Sequence, residues 1–278
     1  MTVLPLPDND AVEPVLKKDR AVILTALCAM FVASWAYLMS GAGMGHSPID
    51  MTVLFSKFAA VLMKPVAWTP VTAMSVAVMW LVLTIAIVIP ATSQIVLLHA
   101  AENRKRREPV NVSVFCGLFL SGYLAIWGLF SLAATAAQWT LEQAALMTQA
   151  LSVADARIAG GLFIAAGLYQ FAGVKQASLR HIRHPDKFIF NEWKDGAVGA
   201  LRMGFNLGSC LLGSCWLLVA LLFAGGILNV LWIAGLAGYI MLEKLSGHGR
   251  VVSIMFGCAL TCCCLLYTSD AADESSSV

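Results

Sequence analysis

The chain has 278 residues, of which 59% are hydrophobic and only 12% are charged, and its net charge is +2. Soluble proteins carry about 25% charged residues, and a water-soluble domain of this length cannot cover so much apolar surface. The composition excludes an ordinary soluble domain and indicates an integral membrane protein, while the small net charge gives no support to nucleic-acid binding.

The first twenty residues are polar and rich in proline and acidic side chains, which is typical of a disordered segment. The apolar run that follows is of spanning length, so we interpret it as a retained helix; a cleaved signal sequence is the alternative. At the other end, LLYTSDAADE resembles translated sequencing-adapter read-through, and a natural polar tail is the alternative. We therefore expect a disordered cytoplasmic tail at 1–20, a transmembrane helical domain at 21–264 and a non-native tail at 265–278.

Seven segments have the length and apolar composition to cross a bilayer. Helices are expected because lipid offers no hydrogen-bond partners, so a spanning segment must pair its own backbone N–H and C=O groups. A β-barrel is not indicated, because no run alternates apolar and polar residues as a barrel strand does. The sequence predicts an all-α polytopic transmembrane bundle of six to seven helices, in which glycines such as Gly122, Gly128 and Gly208 let backbones approach closely. The segments are roughly 21–40, 73–98, 113–136, 157–174, 206–224, 228–243 and 251–267.

The basic residues follow the predicted helices in strict alternation. Fifteen of the 18 Lys and Arg residues lie in the N-terminal tail and in every second connection, whereas Lys57, Lys64 and Arg157 lie in the others. Positively charged loops stay in the cytoplasm, so the pattern predicts a cytoplasmic N-terminus and a multi-pass topology.

No charged side chain falls at the middle of a predicted segment. Glu243 and Lys244 end the sixth segment, and Lys175 is assigned to a basic connection. Charges inside a membrane usually mark a substrate or proton path, so this pattern argues against a proton-coupled transporter built on buried carboxylates. It does not exclude a pore or a site made of neutral ligands.

The first outer loop contains the clearest candidates for a soft-metal site. Met44, His46 and Met51 bring thioether and imidazole groups close together in sequence, and Cu(I) prefers such donors. The alternative is an ordinary polar loop with an isolated histidine. Cys215 is a further candidate inside the fifth segment, although the eight cysteines form no zinc pattern and buried cysteine is often a small apolar residue.

The remaining histidines favour structural roles. His181 and His184 are three residues apart, but the arginines between and beside them oppose cation binding, and contact with anionic lipid head groups is favoured. His99 ends the second segment and is interpreted as a satisfied interface residue.

Several blocks occur in order between Lys18 and Gly249: SWAYL, GYLAIWGLFSLAATAAQW, GLYQFAGVKQASLRHIRHP and GSCLLGSCWLLVALLFAGGILNVLWIAGLAGYIMLEK. In these blocks the chain resembles a family of bacterial membrane proteins, domain of unknown function 2182, described as predicted metal-binding integral membrane proteins. The resemblance implies a helical protein of the bacterial inner membrane that handles a metal.

The chain departs from the family pattern at the soft ligands. The Met-rich stretch expected after Trp80 is here aliphatic, and of a Cys-x-Gly-Cys-Cys-Trp motif Cys215 is the one cysteine that remains. Either this branch has lost the metal, or the metal site does not consist of those cysteines and methionines.

Three functions follow as hypotheses. The first is handling of a soft metal such as copper, with Met44, His46, Met51 and Cys215 as ligands. The alternatives are a non-catalytic helical subunit of a membrane complex and a permease for a small neutral solute near Asn206 and Asn229. We expect the lipid bilayer and another membrane or periplasmic protein as partners, and no nucleic acid. An enzyme is not expected, because no nucleophile–base pair or carboxylate dyad can be discerned.

Overall fold

A computed structural model gives the fold of the chain; it describes residues 9–42, 48–53, 61, 67–106, 112–183, 185–246 and 248–276. Within these ranges the regular elements are helices, and the one β-type pairing is an isolated bridge between Met147 and Val153. The predicted all-α bundle is confirmed. The helices are α1 Asn9–Met39, α2 Pro48–Val53, α3 Pro70–Arg106, α4 Val112–Gln143, α5 Ala156–Tyr169, α6 Gly173–Arg183, α7 Pro185–Glu192, α8 Gly196–Ala220, α9 Leu222–Gly225, α10 Val230–Leu245 and α11 Gly249–Ser276.

The helices differ in their capacity to cross a membrane. Four stretches are long and apolar enough for this: Arg20–Met39, Pro70–Arg104, Val112–Gln143 and Gly196–Gly225. A fifth candidate is the pair α5 and α6, which is bent by 57° at the break between them. Helix α10 has 16 residues and the apolar part of α11, Gly249–Cys262, is also short. The described structure therefore supports four to five crossings, fewer than the seven segments read from the sequence, and the finer count stays a prediction.

The ends of the chain are helical in the described residues. Helix α1 begins at Asn9, inside the stretch 1–20, and α11 continues to Ser276, inside the stretch 265–278. The three-part division expected from the sequence stays a prediction.

Helices α4 and α8 pack closely against each other, and glycines make this possible. A Cβ atom added at Gly204 would overlap the carbonyl group of Phe119, and one at Gly122 would overlap that of Leu201. Gly208 also packs against α4, as predicted, whereas Gly128 has no atom within 4 Å of such a Cβ. The small residues therefore join α4 to α8 and leave part of α4 without a close neighbour among the described residues.

Helix α3 runs through the bundle and contacts α1, α4, α7 and α10. It continues through Pro90, with Thr92 and Ser93 donating hydroxyl hydrogen bonds to the carbonyl oxygens of Ile89 and Pro90 at 2.9 Å each. Trp80 and His99 are 19 residues apart on it, which is about 28 Å of helix. One helix thus carries two separate buried polar regions.

Candidate functional site

Most of the predicted outer-loop site lies outside the described residues. This holds for Met44 and His46, while the backbone of Met51 belongs to α2 and its side chain is not described. Helix α2 itself is held near the start of α10, because the hydroxyl of Thr52 accepts a hydrogen bond of 2.9 Å from the backbone N–H of Val230. The assembly of these three residues into a site stays a prediction.

Cys215, the fourth predicted ligand, lies in the interior of the bundle. Its side chain on α8 is completely buried, and its thiol donates to the carbonyl oxygen of Leu211 at 3.1 Å. It is close enough to Lys244, Lys175 and Glu243 to interact with their charges. Cys215 therefore adjoins a charged region that the sequence analysis did not anticipate.

That region is a buried ion pair. The ammonium group of Lys175 on α6 lies 2.6 Å from the carboxylate oxygen Oε1 of Glu243 on α10, and both side chains are fully buried. Tyr239 is four residues before Glu243, on the same face of α10, and its hydroxyl donates to the same oxygen at 2.7 Å. The sequence analysis placed Lys175 in a connection and Glu243 at the end of a segment, and it did not predict that the two side chains are buried together. They meet because α6 and α10 pack against each other.

Gln170 links this ion pair to two further helices. Its side-chain oxygen accepts hydrogen bonds from Lys175, from the hydroxyl of Tyr239 at 3.1 Å and from Ser253 of α11 at 3.3 Å. It lies at the break between α5 and α6, where the bend of 57° directs it inward. We call Lys175, Glu243, Tyr239, Gln170 and Ser253 the ion-pair cluster.

The chemistry of the ion-pair cluster is that of a structural clamp. Each charge is met by an opposite charge and by neutral hydrogen-bonding groups, as a buried pair requires. The second oxygen of Glu243 and the ammonium group of Lys244 have no hydrogen-bond partner among the described residues. The cluster joins α5, α6, α10 and α11 where the first of these helices breaks.

A second buried polar group combines sulfur and imidazole. The Nδ1 atom of His99 on α3 lies 3.8 Å from the sulfur of Cys116 on α4, and the two side chains are 1% and 6% exposed. We call these two residues the soft pair. They are brought together because α3 and α4 pack as neighbours on either side of a short connection.

Aromatic rings hold the imidazole of the soft pair. The ring of Phe119 stacks on it with centroids 4.4 Å apart and planes inclined by 19°, and Trp193 lies 5.6 Å away. Trp193 follows α7, which is fixed against α3 by the buried side chains of Phe188 and Ile189. These rings enclose His99, whose side chain is buried in the bundle; its interpretation as a residue at the membrane interface stays a prediction.

A third polar group lies at the opposite end of α3. The indole N–H of Trp80 donates to Gln138 at 2.9 Å, Gln138 donates to Glu142 at 2.8 Å, and the indole N–H of Trp68 donates to Glu142 at 2.8 Å. We call these four residues the indole–amide chain. It contains oxygen acceptors and N–H donors, which are not ligands that a soft cation prefers.

The asparagines considered for a permease have local partners. Asn229 caps α10 by accepting a hydrogen bond of 3.3 Å from the backbone N–H of Trp232, and the amide of Asn206 donates to Glu192 at 2.9 Å. These hydrogen bonds show a structural role for both residues, as a helix cap in Asn229 and as a link between α8 and α7 in Asn206.

No group of three His, Cys, Asp or Glu side chains comes together as a metal site in the part of the chain that the structure describes. Its cysteines form no disulfide there. The structure brings the imidazole of His99 to the thiol of Cys116 and places the thiol of Cys215 near the ion-pair cluster.

The sequence analysis missed both the ion-pair cluster and the soft pair. A partial signal for the soft pair was present, since His99 lies 8 residues before and Cys116 5 residues after the connection 107–111, which places both near the same end of a helical hairpin. The burial of Lys175 had no such signal, because it depends on the bend at Gln170 and on the position of α10.

The fold and these sites define a helical bundle with long apolar helices and buried soft donors, and comparison with protein families extends this description. The family model of PpoB2, a copper chaperone, matches residues 77–267. The chain belongs to the PpoB2 copper chaperone family. The match includes the soft pair, Cys215 and the ion-pair cluster, and it begins after the outer-loop residues Met44, His46 and Met51. No curated protein and no solved structure is significantly similar to the chain.

Proposed function

We propose that this protein is a copper chaperone embedded in the bacterial inner membrane, which binds Cu(I) and transfers it to a membrane or periplasmic partner protein. The observation that carries the proposal is the family match over residues 77–267. The buried sulfur and imidazole donors agree with it, because thiolate, thioether and imidazole ligands select Cu(I). Copper is then the cargo of the protein.

The long apolar helices support the membrane location. Four of them are long enough to span the hydrocarbon core. The basic residues alternate between the connections of the seven segments predicted from the sequence, in agreement with the positive-inside rule. We propose a cytoplasmic N-terminus on this basis. A reporter enzyme fused after Arg107 is expected to stay in the cytoplasm, and an exported reporter would contradict this orientation.

Two sets of ligands are proposed for copper. Met44, His46 and Met51 would receive or release the ion at the outer surface, and Cys215 would hold it inside the bundle. A thiolate at Cys215 would supply a sulfur ligand and one negative charge to Cu(I). Lys175 near it is paired with Glu243, whereas Lys244 is a further positive charge close to the thiol. A transfer protein requires such exchangeable sites of low coordination number.

The test is direct measurement of Cu(I) binding. The protein is purified in mild detergent under reducing conditions, loaded with Cu(I), and titrated with a chromophoric Cu(I) chelator while metal content is measured. We expect at least one tightly held copper ion in each chain. Protein that retains no copper would overturn the proposal.

Variants then assign the ligands. The triple variant Met44→Ala, His46→Ala and Met51→Ala and the single variant Cys215→Ala are each expected to lower the copper content. The matched controls are Met74→Ala and Cys258→Ala, because both side chains are exposed on the bundle. Equal losses in variants and controls would show that these residues are not ligands.

A further inference from the structure

We propose that His99 and Cys116 together bind one Cu(I) ion between α3 and α4. This inference rests on the proposed copper function for the identity of the cargo, but its site is separate from the outer-loop residues and from Cys215. It follows from the geometry, the burial and the charge of the soft pair.

The geometry places two suitable donor atoms at bridging distance. Metal ions of this size bind sulfur at about 2.3 Å and imidazole nitrogen at about 2.0 Å, as zinc does. The separation of 3.8 Å between the sulfur and Nδ1 is slightly shorter than the sum of these lengths. One ion can therefore contact both atoms from a position beside the line that joins them.

The charge of the soft pair matches a monovalent ion. When the Cys116–S–Cu bond forms, the S–H bond breaks and the proton leaves to solvent, so a thiolate, a neutral imidazole and Cu(I) together carry no net charge. A neutral complex is compatible with side chains that are 1% and 6% exposed. Zn²⁺ at the same pair would leave one uncompensated positive charge, so burial favours Cu(I).

The surroundings fix one of the two ligands and exclude water. The stacked ring of Phe119 restricts the rotation of the His99 imidazole, with Nδ1 directed toward the sulfur. Trp193 covers the same region from the segment that follows α7. A ligand held in place by packing loses little freedom on binding, which favours affinity.

The position of the pair complements the proposed outer site. His99 lies about 28 Å along α3 from Trp80, toward the basic connection that is predicted to be cytoplasmic. The soft pair would therefore hold copper near the side of the membrane opposite to Met44, His46 and Met51. A chaperone that receives copper from the cytoplasm needs a site in this position.

The test isolates the pair from the other proposed ligands. A background variant carries Met44→Ala, His46→Ala, Met51→Ala and Cys215→Ala, and Cys116→Ser or His99→Asn is added to it. Copper content is measured with the chelator competition described above, and copper X-ray absorption identifies the ligand atoms. Size-exclusion chromatography in detergent confirms that each variant is folded.

We expect the background variant to hold one Cu(I) ion with both sulfur and nitrogen ligands. Adding Cys116→Ser should lower the affinity by more than about 100-fold, because loss of outer partners of a ligand already lowers it by about 10–100-fold. His99→Asn should remove the nitrogen contribution from the spectrum. The controls are Cys258→Ser and His248→Asn, at two exposed positions.

The outcomes separate the two proposals. If the wild type binds copper and Cys116→Ser and His99→Asn leave affinity and spectrum unchanged, the pair is a weak S–H···N contact and this inference is wrong while the copper function stands. If the wild type binds no copper, both proposals fail. The X-ray absorption spectrum of the background variant is a second test that requires no further substitution. A bound copper ion without a sulfur ligand in that spectrum would also overturn the inference.

Discussion

The ion-pair cluster and the soft pair are both buried in the same bundle, yet they are built from opposite chemistry. In the cluster, Lys175 and Glu243 neutralise each other at 2.6 Å, and neutral partners donate or accept around them. In the soft pair, the imidazole nitrogen of His99 approaches the thiol sulfur of Cys116 to 3.8 Å. In the ion-pair cluster the ammonium group of Lys175 is the cation, whereas the soft pair has two donor atoms that can bind a metal cation.

This difference separates stability from cargo binding. A buried charge that loses its partner is strongly destabilising, so the ion-pair cluster is expected to act on the fold. A sulfur–imidazole contact is weak as a hydrogen bond but strong as a metal ligand set, so the soft pair is expected to act on copper. Substitutions in the two regions should therefore change different measurements.

The largest effect on stability is expected for Glu243→Gln. This change leaves the ammonium group of Lys175 buried without its counter-charge, which costs about 3–5 kcal/mol. Thermal unfolding in detergent measures the loss. The double variant Lys175→Met and Glu243→Met removes both charges, and it should recover most of the stability while copper affinity stays near that of the wild type. A double variant that is as unstable as Glu243→Gln would show that the charges do not act as a pair.

A smaller effect is expected for Gln138→Leu in the indole–amide chain. The substitution removes the acceptor of the Trp80 indole N–H and one donor to Glu142, and each buried group left unpaired costs about 1–3 kcal/mol. The same unfolding assay measures it, with the exposed Trp139→Phe as the control. Copper binding should not change, since the chain offers no soft donor, and a copper defect here would weaken the separation of the two functions.

Tyr239→Phe tests how much the neutral residues of the ion-pair cluster contribute to the free energy of unfolding. The hydroxyl donates to the carboxylate of Glu243 within α10 and also contacts the side-chain oxygen of Gln170, and a hydrogen bond to a charged group contributes about 1.5–3 kcal/mol. We expect a loss within that range in the unfolding assay. A loss as large as that of Glu243→Gln would mean that Tyr239, and not the charge pair, dominates the cluster.

The last substitution, Phe119→Leu at the soft pair, is expected to act on copper affinity as well as on stability. Loss of the ring stacked on His99 removes about 0.5–1.5 kcal/mol beyond the change in buried area. Because the imidazole then rotates more freely, copper affinity should fall while the number of bound ions is unchanged. Chelator competition measures the affinity, and an unaltered value would show that stacking does not orient the ligand.

Much of the fold could be predicted from composition and small residues. Long apolar runs predict helices directly, because lipid permits few other structures, and Gly122 and Gly208 lie at the α4–α8 contact as expected. The break at Gln170 could not be predicted in the same way. The residues 157–174 read as one apolar segment, and the bend depends on side chains that α10 and α11 bring to it.

The candidate site was harder to predict, because it also depends on contacts between residues that are far apart in the sequence. A lysine near a helix end is usually exposed, so no sequence pattern predicts that Lys175 is buried; its burial requires Glu243, which is 68 positions later in the chain. His99 and Cys116 are ordinary residues when each is considered alone. Their proximity arises from the hairpin of α3 and α4, and hairpin geometry is a property of two helices together.

The length of α3 has a consequence for access to the bundle. Its 37 residues extend for about 55 Å, whereas the hydrocarbon core of a bilayer is about 30 Å thick. In the proposed membrane orientation a helix of this length would extend beyond the lipid even when tilted, and its polar end at residues 102–106 would meet the aqueous phase. The soft pair, about two turns of helix from that end, would then lie close to the surface of the membrane.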